Sequence, residues 1–287
     1  MSPENRVPCS AGSLPPLHRR LLGLISRAVR DFDLLSPGDR IAVGVSGGKD
    51  SLSLLHLLRE WPPGRRLGLS ILAVHIDLGF PDGREDEARL REYLQAQGYA
   101  FRIVATDIAV RARGPAARKN PCFLCARWRR QRLFEVAVEE GCTKVALAHH
   151  QDDILETFFL NLFYSCEIST MLPKVTFFNG LFDLIRPLAY VQEAQLQRYA
   201  EQCGFPVASY RCPSRGDSKR QFVRDLLAQL HQADRRLKGH IFRALGNVNR
   251  EYLWGFRRRQ SSARFPSTAP EPPRFPLSTP GSDGPGP

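Results

Sequence analysis

The sequence predicts an α/β fold: a doubly wound, mainly parallel sheet with helical additions. Three observations carry this expectation. Short apolar runs at 41–45, 71–76, 101–104 and 144–148 alternate with stretches whose apolar residues recur at helical spacing. A Ser-Gly-Gly turn joins the first run directly to a helix start. Polar residues collect where the runs end: Ser46, His75, Asp77, His149 and His150. Ligands of open parallel sheets sit at those carboxyl ends.

The totals bound the function classes. The 287 residues suit one large domain, or one domain with a small attachment, and 43% hydrophobic residues supply a core. A net charge of +12 and a pI near 9.8 point to a polyanionic partner. No run of about 18 apolar residues suggests a membrane span. The N-terminus lacks the apolar stretch of a secretion signal. Seven cysteines, two of them spaced Cys-x-x-Cys, suit a reducing, cytoplasmic setting with ligand or redox roles.

In chain order, residues 1–14 read as a disordered N-terminus, 15–256 as the folded domain, and 257–287 as a disordered Arg/Ser/Pro/Gly-rich tail. Leu17 to Phe32 reads as a basic amphipathic helix. Helices are also expected over 84–98, 192–204, 218–231 and Arg236 to Trp254. The segment between the third and fourth strands reads as irregular. Residues 111–134 hold eight Lys/Arg and no Asp or Glu, and they enclose Cys122-Phe-Leu-Cys125.

Three groups carry chemistry. The first is Ser46-Gly47-Gly48-Lys49-Asp50-Ser51. Strand, glycine turn and helix N-terminus direct amide N–H groups and the positive dipole end at one anion. Asp50 suits a phosphate-bridging Mg²⁺. Val74, His75 and Asp77 at the second strand's end offer groups to a base. The second is His149-His150-Gln-Asp-Asp153. Asp153 is expected to contact metal or position the nucleophile, and a histidine to line the pocket. An aspartate here is also what a plain helix cap looks like. The third is Cys122, Cys125 and Cys212, compatible with zinc, an iron–sulfur cluster or a thiol–disulfide pair. Arg127, Arg129, Arg130, Arg215, Lys219 and Arg220 surround these cysteines in sequence and are candidate phosphate contacts of an RNA. Phe123 and Trp128 interleave with the charge.

Ser46-Gly-Gly-Lys-Asp-Ser51 resembles the pyrophosphate loop of N-type ATP pyrophosphatases. Further segments resemble the tRNA 2-thiocytidine synthetases of that superfamily: Pro121-Cys-Phe-Leu-Cys-Ala-Arg-Trp-Arg-Arg130, His149 to Thr157, Asn161-Leu-Phe-Tyr164, Ile185-Arg-Pro-Leu-Ala-Tyr190 and Cys212. The likeness runs in order from about residue 17 to about 250. It implies an adenine nucleotide alpha hydrolase fold, ATP, Mg²⁺ and a [4Fe-4S] cluster on Cys122, Cys125 and Cys212. It also implies thiolation of cytidine 32 in the anticodon loop, with a sulfur donor such as a cysteine desulfurase; a homodimer is a further expectation. One departure stands out. Ser209-Tyr-Arg-Cys212 replaces the second Cys-x-x-Cys of many relatives, so a spare thiol is missing. The alternatives are 2-thiouridine or lysidine synthesis, or a non-catalytic nucleotide- or RNA-binding relative.

Overall fold

A computed structural model describes residues 15–80, 83–114, 121–209 and 218–253. Helix α1 (Pro16–Phe32) opens with proline at its first position, where no amide hydrogen is needed. It buries the stripe His18, Leu21, Leu22, Ile25 and Ala28. β1 (Arg40–Gly44) leads through the glycine turn into α2 (Lys49–Glu60), and a short α3 (Pro62–Arg66) follows. Then come β2 (Ser70–Asp77), α4 (Arg84–Ala96), β3 (Ala100–Ala105), α5 (Ile108–Arg113), α6 (Pro121–Glu139) and β4 (Lys144–Ala146). After α7 (Gln151–Tyr164) a hairpin forms from β5 (Lys174–Phe177) and β6 (Phe182–Ile185). Helices α8 (Glu193–Cys203), α9 (Ser218–Ala233) and α10 (Leu237–Ala244) complete the compact unit, which ends at Gly246. A second unit starts at Asn247 and contains a 3₁₀ turn, Arg250–Tyr252.

The six strands run in the order β3-β2-β1-β4-β6-β5, all parallel except β5. The order reverses between β1 and β4, so a crevice opens at their carboxyl ends. Alternation along β1 shows why both faces need cover. Ile41, Val43 and Val45 join a core with α1, α2, α4 and α8, while Ala42 joins one with α5 and α6. A third, smaller cluster of Leu155, Val223 and Leu227 seals α7 to α9.

Several expectations need correction. The segment between β3 and β4 is not irregular, since α5 and the nineteen-residue α6 occupy its described part. Its apolar period was obscured because one face of α6 presents arginine to the crevice. The helix expected from Arg236 to Trp254 stops at Ala244, and Trp254 lies outside the described residues. The β5–β6 hairpin was not anticipated. Its strands have four residues each, and its turn takes Phe178 and Asn179 through positive φ, which few sequences advertise.

Candidate active site

The crevice is a cavity of about 580 Å³. The loop from Ser46 to Ser51 forms its floor. Ser51 holds the loop closed by donating its hydroxyl to the Gly48 carbonyl at 2.9 Å and accepting from the Ser46 amide at 3.1 Å. Gly47 has φ +79°, and a Cβ there would sit 3.2 Å from the Ala208 Cβ. The Ala208 amide donates to the Gly47 carbonyl at 2.9 Å, so a distant segment clamps the turn. Gly48 caps α2 without a side-chain bond, which leaves the helix N-terminus open to an anion.

Charge converges on this floor. The Lys49 ammonium reaches Asp50 Oδ2 at 3.0 Å and Glu193 Oε1 at 2.9 Å. Burial alone would depress its pKa, but the bonds to Glu193 and Asp50 raise it above the ordinary value. Glu193 opens α8 and donates its own amide to Asp152 Oδ2 at 2.7 Å; Asp152 also accepts from Lys238 at 2.8 Å. Burial works against ionisation of Asp152, yet the Lys238 and Glu193 bonds hold its pKa below the ordinary value.

The opposite wall is the start of α7. Its cap is His150 rather than either aspartate: Nδ1 of His150 accepts from the Asp153 amide at 3.4 Å, and Asp153 Oδ2 accepts from the His150 amide at 3.0 Å. The other ring nitrogen, Nε2, lies 3.4 Å from Asp153 Oδ2 and 4.0 Å from Asp50 Oδ2. His150 therefore stands between two carboxylates that both line the cavity. His149 Nδ1 accepts from Arg186 Nε at 3.1 Å, which leaves the ring proton on Nε2. Burial first, then the Arg186 charge, pushes the His149 pKa down to about 4. His75 has the reverse tautomer, because its Nδ1 lies 2.7 Å from the Val45 carbonyl, which can only accept. Val74 and His75 line the cavity, but Asp77 does not. Its carboxylate accepts from the Gly79 amide at 2.9 Å, and its carbonyl accepts from Thr106.

The third wall is α6. Ala126, Arg129, Arg130 and Leu133 line the cavity at i, i+3, i+4 and i+7. Cys122 and Cys125 precede Ala126 and Arg129 by one turn, but neither lines the cavity. Cys122 is exposed and Cys125 half-buried against the α5–α6 core. Trp128 joins that core with Arg111 across its ring at 4.7 Å, whereas Phe123 is exposed. Arg127 is exposed and does not line the cavity. Lys219 lies over the Tyr164 ring, and Arg220 donates to Glu156 at 3.4 Å. Cys212 and Arg215 fall outside the described residues. Among the described residues no cluster of three or more His, Cys, Asp or Glu forms a complete metal site. Sequence reasoning missed Glu193 and Arg186, whereas Arg224, which lines the cavity, belongs to the basic stretch that also holds Lys219 and Arg220. Arg186 lies inside the noted Ile185 to Tyr190 segment, which was its only signal.

Comparison with known proteins agrees with this geometry. Residues 18–231 match the PP-loop domain family, so an ATP site is expected of this fold. The tRNA-cytidine(32) 2-sulfurtransferase of Alkalilimnicola ehrlichii is 42% identical over 84% of this chain and 76% of its own length. That of Syntrophotalea carbinolica is 41% identical over 83% and 92%. Among solved structures, the U34-tRNA thiolase NcsA from Methanococcus maripaludis with its [4Fe-4S] cluster superposes with a TM-score of 0.66. It is 24% identical and covers 80% of this chain and 79% of its own, which is a likeness of fold. With the clamped Ser-Gly-Gly turn at the reversal of strand order, and with relatives above 40% identity, this chain belongs to the PP-loop family and, within it, to the tRNA-cytidine(32) 2-sulfurtransferases.

Proposed function

We propose that this protein thiolates tRNA, using ATP to replace the C2 oxygen of cytidine 32 with sulfur. The observation that carries the reading is the shared cavity: the phosphate-binding floor, the Asp50–His150–Asp153 wall and the arginine-bearing face of α6, whose Ala126 and Arg129 lie one turn beyond Cys122 and Cys125, enclose one space. The C2 oxygen attacks the α-phosphorus of ATP, and pyrophosphate leaves. Sulfur at the oxidation level of sulfide then adds at C2, and AMP carries the oxygen away. The loop amides and Lys49 hold the leaving phosphates. His149 offers a neutral N–H donor beside them.

The residues present fit the groups that such chemistry needs. Asp50 and Asp153 supply the one or two carboxylates that Mg²⁺ takes alongside nucleotide phosphates. Cys122 and Cys125 are two thiols on one helix face in a segment without acids, the residue type that such a cluster takes as ligands. Ser209 Oγ bonds Asp86 Oδ1 at 3.1 Å, and Asp86 lines the cavity. Cys212 follows three residues later in sequence, outside the described residues. Bound by three such thiolates, a [4Fe-4S] cluster would leave one iron open to a sulfur atom. The sulfur would come from a donor such as a cysteine desulfurase.

The test uses anaerobically purified full chain with tRNA. Release of AMP and pyrophosphate should require tRNA and should stop in Asp50→Ala, which keeps RNA binding. Brown colour should disappear in Cys122→Ala. A protein that releases no pyrophosphate with any tRNA, or tRNA from cells lacking it with unchanged 2-thiocytidine on mass spectrometry, removes the proposal.

A further inference from the structure

Helix α7 begins at the cavity and runs away from it. From Thr157 to Cys166 it carries no charged side chain. Its last two turns nevertheless do not close into the core. Phe158, Phe159, Phe163 and Tyr164 form a continuous row of rings, with successive centroids 5.3, 5.4 and 6.4 Å apart. Exposure grows along the row: Phe158 and Phe159 are half-buried, while Phe163 is 43% and Tyr164 44% exposed. From α9, the Lys219 ammonium lies 4.7 Å from the Tyr164 ring centre. Phe222, three residues on and therefore on the same face of α9, is 55% exposed.

A contiguous exposed aromatic patch marks a binding surface. A cation set on one of its rings narrows the partner. Single-stranded nucleic acid is held by aromatic rings that stack on bases and by cations that meet the adjoining phosphates. The local charge agrees in part: Arg220 and Arg224 on α9 pair with Glu156 on α7, while the exposed Lys219 lies over the ring of Tyr164.

We propose that Phe163, Tyr164, Lys219 and Phe222 form a stacking platform for unpaired bases of the RNA substrate, next to the nucleotide that enters the cavity. This rests on the tRNA reading above and adds the surface that holds the loop. The spacing suits it. Asp153 at the cavity and Phe163 are ten residues apart, about 15 Å of helix. That equals about four stacked nucleotides at roughly 3.4 Å each, which lies within one loop. About four stacked loop nucleotides would thus span both places without unpairing the stem.

Fluorescence anisotropy with a labelled anticodon stem-loop RNA tests this, using the full chain across a salt series. The double variant Phe163→Ala/Tyr164→Ala should raise Kd at least tenfold and leave the slope of log Kd against log salt unchanged, because rings carry no charge. Tyr164→Trp should retain affinity. Lys219→Ala, at an exposed site, should reduce the slope by about one. Unchanged Kd in the double variant overturns the platform while leaving the tRNA reading intact. So does an unchanged Kd with a fall to a smaller species in sedimentation, which makes the face a contact between copies. A wild-type protein with no affinity for the RNA defeats both.

Discussion

Lys49 and Asp50 are already committed before any phosphate arrives. Glu193 holds the lysine at 2.9 Å and shares it with Asp50, so incoming phosphate must compete for an ammonium that is otherwise paired. The loop residues themselves were legible, because serine, glycine and aspartate after a strand have few other uses. Glu193 and Arg186 were not, since each is an ordinary charged residue until a distant segment gives it a partner. Away from the cavity, His56 Nδ1 meets the Tyr199 hydroxyl at 2.7 Å, and that hydroxyl lies 2.9 Å from His18 Nδ1. Burial first, with Arg59 adding, pushes the His56 pKa from 6.5 down to about 4, while Glu60 pulls the other way. The unfolded chain therefore binds more protons than the native one between those values. Stability from this group is full above about pH 6.5 and falls as pH drops toward 4. Urea unfolding should give a lower midpoint at pH 5 than at pH 7, and His56→Gln should flatten part of that difference. His149, lowered to about 4 by the same cause, accounts for a further part.

Elements were most legible where burial is one-sided. α1 shows a clear stripe, and its predicted bounds nearly coincide with Pro16–Phe32. α6 hid its period because the cavity recruits its arginines. The β5–β6 pair hid because a four-residue edge hairpin has too few residues to show alternation. α9 was foreseen as a helix, but its partner was not. It docks on α7 through Val223 and Leu227 and through Arg224 and Arg220, which meet the buried Glu156 at 2.8 and 3.4 Å. Burial pushes the Glu156 pKa up, against the pull of Arg224. Glu156→Ala would strand the arginines against apolar neighbours. Both arginines are partly exposed and solvated, so the cost should be about 2 kcal/mol, below that of a fully buried pair. A lower urea midpoint at unchanged m-value would show it, while an unchanged midpoint would mean that the apolar seam alone holds α9.

At the scale of the molecule, the charge and the sheet work together. Order reversal between β1 and β4 opens the crevice, and the +12 charge places cations around its mouth from α6 and α9. No helix among the described residues is long and apolar enough to cross a membrane. Affinity for tRNA should fall steeply with salt, and Arg129→Ala and Arg130→Ala should each lower the slope of log Kd against log salt by about one. A salt-independent affinity would mean that these arginines serve the nucleotide phosphates alone.

Read alone, the chain's order of residues specified the nucleotide loop, the four strands β1 to β4, the basic cysteine segment and the family likeness. These are local facts, written within a few residues of one another. The three-dimensional fold settled which distant residues share a wall: Ala208 on Gly47, Glu193 on Lys49, Arg186 on His149, and the α6 face one turn below Cys122 and Cys125. Such pairings depend on how helices pack across a sheet. Packing is set by the sum of many weak apolar contacts, which no short stretch of sequence spells out.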